Sequence, residues 1–214
     1  MAYIFGDLKT KLATQIGDPN LADSVTSDAL NYTQQSIFNT FDLTLNSGTH
    51  TNYVAAGAHV LTNSLPDDFQ KVSSLYITSP VAQAQDITEC FINPKDFRID
   101  FPQPQLLIGV LQYWTFWDSI QFSNTADANY TVSIDYTKSV PFMDTSTDVP
   151  AIPQAFEELL ILGAKIRIYE QKEDFDYAAQ FTNRYADLLE AFTLRYSMRQ
   201  VDIQANVPGA RTRA

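Results

Sequence analysis

Residues 130–136, Tyr-Thr-Val-Ser-Ile-Asp-Tyr, decide the fold class of the central part of the chain. Apolar and polar side chains alternate strictly there, which is typical of a β-strand with one buried face. The surrounding residues 43–140 are rich in Thr, Ser, Asn, Val, Ile and Tyr and are divided by turn-forming residues. Two further strands are predicted at 72–78 and 105–117, and the second is expected to pair with 130–136 through a turn at 123–127. We therefore predict a β-rich subdomain with an antiparallel sheet over residues 43–140.

Helical periodicity flanks this subdomain on both sides. Apolar residues recur at helical spacing over residues 3–16 and again from about 26 to 42. After a linker at 141–152, the period returns for a C-terminal helix pair at 153–200. The last helix carries a seam suited to an antiparallel neighbour, formed by Phe181, Tyr185, Leu188, Phe192 and Arg195. The prediction is an α+β fold in which the N-terminal pair (1–42) and the C-terminal pair form one bundle around the ends of the β-rich insert.

The composition of the 214 residues excludes several classes of protein. Apolar residues make up 45% of the chain and aromatic residues 13%, which is too many for a disordered protein. The single cysteine, Cys90, excludes an internal disulfide framework and a Cys-rich metal site. Two histidines, His50 and His59, are too few for a three-histidine metal site within one chain. We expect neither a metal nor a cofactor.

The charge and the hydropathy pattern limit where the protein is expected in the cell and which kinds of partner it is expected to bind. With 14 basic and 25 acidic residues the net charge is −11, which argues against bulk nucleic-acid binding. The N-terminus lacks the basic region of a secretory signal. The longest apolar run, residues 106–111, is far shorter than the roughly 20 residues of a membrane helix. We expect a protein made in the cytoplasm, with no membrane partner and no sequence-specific nucleic-acid binding.

The acidic body ends in a basic terminus. From residue 191 onward there are four arginines and one acidic residue, and Arg199, Arg211 and Arg213 lie in or beside the last 14 residues, 201–214. We call residues 201–214 the C-terminal arm and predict that it is extended. Arginine pairs with carboxylates in bidentate fashion, so the arm is suited to docking on an acidic partner. A disordered tail is the alternative interpretation.

The chain lacks a recognisable catalytic motif. It contains neither a glycine-rich phosphate loop nor the GxSxG elbow. Cys90 is interpreted as a small apolar side chain on a strand rather than a nucleophile, and His59 as a strand residue. Paired carboxylates occur at Asp67-Asp68, in a turn, and at Asp174 and Asp176, at a helix start. Both placements have ordinary structural explanations, so we predict a protein that is not an enzyme.

One aromatic cluster is a candidate contact surface. Residues 113–117 read Tyr-Trp-Thr-Phe-Trp. Their alternation favours packing in a core on one side and a subunit contact on the other, with base or sugar stacking as the weaker interpretation. Trp114 and Trp117 are the subunit-interface candidates, because exposed tryptophans are frequent anchors of protein contacts.

Four sequence features together resemble a known family. They are the N-terminal helix pair with Gly17-Asp18-Pro19 between its helices, the sequence Leu65-Pro66-Asp67-Asp68-Phe69 before a strand, residues 148–156 before the third helix, and the pairing of 159–169 with 177–189. In this order they resemble the head-to-tail adaptor proteins of tailed bacteriophages. The stretch 149–189 is the most similar, and the extensive β-rich insert is most like the adaptors of short-tailed phages.

The resemblance implies a structural virion protein at the head–tail interface. Such adaptors form a ring, typically of twelve copies, that extends the DNA channel of the portal protein and presents a surface to a tail or nozzle protein. Their C-terminal segment often clasps the portal, which here would be the arm with Arg211 and Arg213. An acidic channel wall would repel the phosphates of passing DNA.

Two other interpretations stay open on the sequence alone. The first is a different virion component, such as a tail-tube, tail-terminator or baseplate subunit. The second is a wall-degrading hydrolase that uses the carboxylates of Asp67 and Asp68 or of Asp174 and Asp176.

Overall fold

The computed structural model describes residues 3–18 and 21–197. Their contacts divide the chain into a helical unit, Met1–Leu45 with Phe142–Ala214, and a β unit, Asn46–Pro141. The α+β class predicted from the sequence is confirmed, while the finer domain boundaries stay a prediction. The helices are α1 (Phe5–Ile16), α2 (Asp23–Thr40), α3 (Pro94–Asp100), α4 (Glu157–Gln171) and α5 (Phe175–Tyr196). The strands are β1 (Ser47–Val54), β2 (Phe69–Ser79), β3 (Gln85–Asp86), β4 (Ile108–Gly109), β5 (Trp114–Phe116), β6 (Ile120–Phe122), β7 (Thr125–Ala126) and β8 (Tyr130–Lys138).

Helix α4 is the centre of the helical unit. It contacts α1, α2 and α5, so its apolar residues are covered on nearly every side. Gly163 lies where α4 meets α2, and a Cβ atom added there would overlap the side chain of Thr33. This close approach explains a glycine in mid-helix. The buried residues of α4 are Leu159, Leu160, Ile161, Leu162, Ala164, Lys165 and Ile168.

The segment before α4 is tied to the N-terminal helices by hydrogen bonds. The first N–H groups of α1, those of Phe5 and Gly6, donate to the carbonyls of Asp148 and Ser146 at 2.8 and 2.9 Å. Because α1 has no side-chain cap, these carbonyls satisfy donors that would otherwise lack partners. In α2, the buried amide of Asn31 donates to Met143 O and accepts from Met143 N, at 3.0 and 2.8 Å.

The β unit is built around β8, the strand predicted from residues 130–136. The main sheet has the order β1-β8-β2-β3, and its pairs are antiparallel. Alternate residues of β8 enter the core, as the sequence predicts: Tyr130, Val132, Ile134 and Tyr136 are buried. Strand β2 extends beyond the predicted 72–78 at both ends.

The predicted long strand at 105–117 is wrong. Residues Pro104–Leu106 form a 3-10 turn, and only the short strands β4 and β5 follow. Strand β5 pairs with β6, and β4 pairs in parallel with β7, which occupies part of the predicted turn at 123–127. The predicted hairpin with 130–136 is therefore also wrong. Pro104 starts the 3-10 turn that replaces the first residues of the predicted strand, and Gly109, where β4 ends, weakens a strand interior because it has no side chain to pack.

Helix boundaries and two side chains also need correction. Helix α2 begins at Asp23 and ends at Thr40, earlier at both ends than the predicted 26–42, and α1 begins at Phe5. Cys90 lies in a 3-10 turn, Thr88–Cys90, rather than on a strand. His59 lies in a bend before the isolated β-bridge at Val60 and not on a strand.

Candidate interaction surfaces

An exposed apolar run is the most unusual surface feature of the β unit. Leu106, Leu107 and Ile108 are consecutive and expose 70%, 53% and 76% of their surface. Their backbone is nevertheless fixed, because Thr125 N donates to Leu107 O at 2.6 Å and β4 pairs with β7. The amide of Asn124 also donates to the carbonyls of Gly109 and Val110. An ordered, exposed apolar group of this kind is a candidate contact surface.

A chain of aromatic contacts lies in the same unit. The Phe97 ring packs on Phe101 with centroids 5.4 Å apart, and Phe101 stacks on Tyr113 at 5.7 Å. The Arg98 guanidinium lies 4.0 Å from the centre of the Trp117 ring, a cation–π contact. Trp117 is 48% exposed, so one of the two predicted tryptophan anchors is accessible and the other is not.

Trp114 belongs to the core, so the expectation that it is exposed is wrong. It is 4% exposed, and its indole N–H donates to Ile87 O at 2.7 Å. Its ring meets Phe91 edge-on at 4.9 Å. The carbonyl that fixes Trp114 lies 27 residues earlier in the chain, and no local pattern could have indicated it.

A mainly apolar groove of about 390 Å³ opens beside Trp114. Phe91, which is half-exposed, and Phe116 contribute its aromatic walls. The remaining lining residues include Gln70, Val72, Ser73 and Thr88.

The helical unit has a more polar groove, of about 670 Å³, beside α4. The Lys165 side chain lines it and is only 9% exposed, with its ammonium 4.9 Å from the Phe181 ring centre. Burial lowers the pKa of Lys165. Within residues 3–18 and 21–197, Lys165 has no carboxylate partner. Nearby acidic groups are already paired, Glu157 with Lys11 and Glu158 with Arg184.

Three of the four candidate catalytic carboxylates, Asp68, Asp174 and Asp176, have structural roles. Asp68 accepts a hydrogen bond from Tyr136 OH at 3.0 Å, and its carbonyl accepts from Ser139 N. Asp174 caps the N-terminus of α5 by accepting from Tyr177 N. Asp176 lies in the first turn of α5, where a negative charge suits the helix dipole.

The described residues contain neither a candidate metal cluster nor a candidate membrane span. In residues 3–18 and 21–197, no three His, Cys, Asp or Glu side chains come together as a metal site. None of the helices in this part of the chain is long and apolar enough to cross a membrane. Arg199, Arg211, Arg213 and the C-terminal arm, 201–214, lie outside the described residues.

Comparison with protein families decides the wider class. A family model for the SU10 adaptor protein matches residues 3–212, nearly the whole chain. The chain belongs to the SU10 adaptor protein family. It is therefore a phage adaptor protein, and the membership expected from the helix pairs and the motif at 148–156 is confirmed. A comparison with curated proteins found no match.

Within this adaptor, sequence reasoning did not predict the exposed run Leu106–Ile108. Residues 106–111 form an apolar run that is too short for a membrane helix, and they lie within the predicted strand at 105–117, which gave no sign of their exposure. A better signal was available: residues 101–117 contain no charged side chain, in a chain that carries −11. A second uncharged stretch, 43–66, includes β1.

Proposed function

We propose that this adaptor assembles into a ring, of twelve copies, between the portal protein and a tail or nozzle protein of the virion. The ring extends the channel through which DNA passes, and the C-terminal arm docks on the portal. The match to the adaptor family over residues 3–212 is the observation that carries the proposal.

The charge distribution supports contacts between copies through the β unit. Two copies that each carry −11 repel one another, so a contact between them needs a surface with few charges. The exposed run Leu106–Ile108 and Trp117 both lie within the uncharged residues 101–117. We propose this surface as the contact with a neighbouring copy in the ring. A closed ring requires such a patch to meet a different patch of its neighbour.

The proposed role is structural and not enzymatic. Two of the four carboxylates that would serve a hydrolase, Asp68 and Asp174, instead accept hydrogen bonds within the fold. The acidic body also suits a channel that must let DNA pass without binding it.

Native mass spectrometry with the portal protein of the same phage tests the proposal. We expect about twelve adaptor copies to add to one portal ring, in keeping with cyclic symmetry. A parallel sample without residues 201–214 should not add, because it lacks Arg211 and Arg213. Full addition by the shortened chain would contradict docking through the arm. Assembly into a six-fold ring without any portal would contradict the adaptor role and favour a tail component.

A further inference from the structure

The two edges of the main sheet differ in how they are protected. One edge strand, β3, has only two residues, and short edge strands resist pairing with other chains. The other, β1, has eight residues, Ser47–Val54, and contains neither a charged residue nor a proline. Charged residues and prolines are the usual protection of a long edge. Strand β1 is therefore long enough to pair with another strand, and it lacks the residues that usually prevent such pairing.

The outward side of β1 can be identified from its hydrogen bonds. Tyr53 O accepts from Thr62 N, so Tyr53 points its backbone away from β8. Because backbone direction alternates along an antiparallel strand, Thr49 and Thr51 point outward too. Strand β1 pairs only with β8, and no described residue bonds the outward N–H groups of Thr49 and Thr51. The far end of β1 is closed, because the Asn52 side chain bonds both backbone groups of Asn63.

The core-facing side of this edge is incompletely covered. Gly48 and His50 lie on the same side of β1 as the buried Asn52 and Val54, yet both stay partly exposed. The His50 Nε2 atom is buried and has no hydrogen-bond partner in the described part of the chain. A further strand with apolar residues on this side would complete the cover.

The chain itself contains a segment with the required pattern. In residues 201–207, Val201, Ile203, Ala205 and Val207 alternate with Asp202, Gln204 and Asn206. This is the period of a strand with one apolar face, and Pro208-Gly209 ends it. Seven residues in a strand span about 23 Å. That is long enough to cover the open part of β1, Gly48 to Thr51.

We propose that residues 201–207 of a second copy of this chain pair with the outer edge of β1 as an additional strand. The inference rests on the proposed ring, in which every copy would give one segment and receive one. Arg199 lies two residues before the segment and suits the acidic β unit, which has four basic and nine acidic residues, while the segment itself carries only the charge of Asp202. Main-chain hydrogen bonds would supply affinity, and the apolar alternation would fix the register.

This contact leaves the end of the arm available for the portal. Pro208-Gly209 separates the alternating segment from Arg211 and Arg213. The arm would thus have two parts, a strand that joins neighbouring copies and a basic end that docks on the portal.

Two full-length variants separate the donor of the strand from its acceptor. Ile203→Asp disables the apolar face of the segment and keeps the β1 edge. Thr51→Pro keeps the segment and disables the edge, since proline removes an outward N–H that the β8 ladder does not use. The first is labelled with ¹⁵N, the second is added unlabelled, and amide hydrogen exchange of the labelled chain is followed by NMR.

We expect the Thr49 and Thr51 amides of the labelled chain to be protected. At a donor concentration about ten times Kd, their exchange should slow about tenfold. The His50 and Asn52 amides, which face β8, are the internal reference. A donor with both Thr51→Pro and Gln204→Asp should still protect, because Gln204 lies on the other side of the segment. A donor with both Thr51→Pro and Ile203→Asp should not. If Thr51→Pro does not fold, wild-type donor in excess takes its place.

The outcomes distinguish this inference from the proposed function. Unchanged exchange with millimolar donor would overturn it, as would equal protection by the Ile203→Asp donor. A third outcome would also overturn the inference: the Thr49 and Thr51 amides are protected in the wild type at every concentration, but not in the mixture of the two variants. That result would mean that the chain's own arm pairs with β1. If the β1 amides are not protected while the wild type still adds to the portal, only this inference is overturned and the proposed function stands. If the wild type does not add to the portal, the proposed function fails whatever happens at β1.

Discussion

Two runs of large apolar residues have opposite surroundings in this adaptor. Leu159-Leu160-Ile161-Leu162 in α4 is at most 7% exposed, whereas Leu106-Leu107-Ile108 is more than half exposed at each residue. Three helices surround the first run, whereas the second begins at the last residue of a 3-10 turn and ends in a strand of two residues. The comparison shows that composition alone does not bury a side chain; long neighbouring elements do. The exposed run leaves its apolar surface in contact with water in the single chain.

The same deletion in each run gives the largest expected contrast. Leu160→Ala should lower the free energy of unfolding by about 2–5 kcal/mol, because it leaves a cavity among three helices. Leu106→Ala should change it by less than about 0.5 kcal/mol, because water already reaches that side chain. Urea denaturation of both variants provides the measurement. Equal losses would mean that the 106–108 run is buried in the isolated chain.

A pair of glycine substitutions extends the contrast to the backbone. Gly163→Ala should destabilise the fold by about 1–3 kcal/mol, since the new methyl group overlaps Thr33 between α2 and α4. Gly109→Ala is the matched control beside the exposed run, where the nearest atom to the new Cβ, Asn124 Nδ2, would be 3.7 Å away. Thermal unfolding of the two variants measures the difference. A Gly163→Ala protein as stable as the wild type would show that α2 and α4 can separate without loss.

Alkaline pH tests a partly buried polar pair in the β unit, Tyr136 and Asp68. Burial and the hydrogen bond to Asp68 raise the pKa of Tyr136 above its ordinary value of 10.0. Above pH 10.0 the unfolded chain releases this proton while the native protein keeps it, so stability should fall as the pH rises. Tyr136→Phe should cost about 1 kcal/mol at neutral pH and make the decline at high pH shallower. Urea denaturation at neutral pH and at two values above 10.0 measures both effects. An unchanged decline in Tyr136→Phe would assign it to other groups.

The smallest effect on stability is expected at Ile108, with a change in assembly instead. Ile108→Ser should leave the free energy of unfolding within about 0.5 kcal/mol of the wild type. If this surface meets a neighbouring copy, the dissociation constant between copies should rise about tenfold. Analytical ultracentrifugation measures the association, and Leu194→Ser, at an exposed position of α5, is the control. Equal weakening by the control would remove the special role of the 106–108 run.

Local periodicity predicted the elements whose buried face can be recognised from their own sequence. The alternation in β8 and the apolar faces of α1 and α4 are examples. Failure came where burial depends on distant partners: β5 pairs with β6 instead of β8, and Trp114 is fixed by the Ile87 carbonyl. A short apolar run such as 106–108 is also ambiguous in sequence, because a buried strand and an exposed contact surface have the same composition.

The Asn31–Met143 pair has a consequence for how the chain is made. Its two partners are separated by 112 residues, and the entire β unit is encoded between them. All residues of the β unit are therefore synthesised before α4. Until α4 is made, the apolar face of α2 stays uncovered. Closing such a long loop slows folding, and an uncovered apolar helix is the kind of surface that chaperones recognise. We therefore expect the helical unit, although part of it precedes the β unit in the chain, to complete its folding after the β unit.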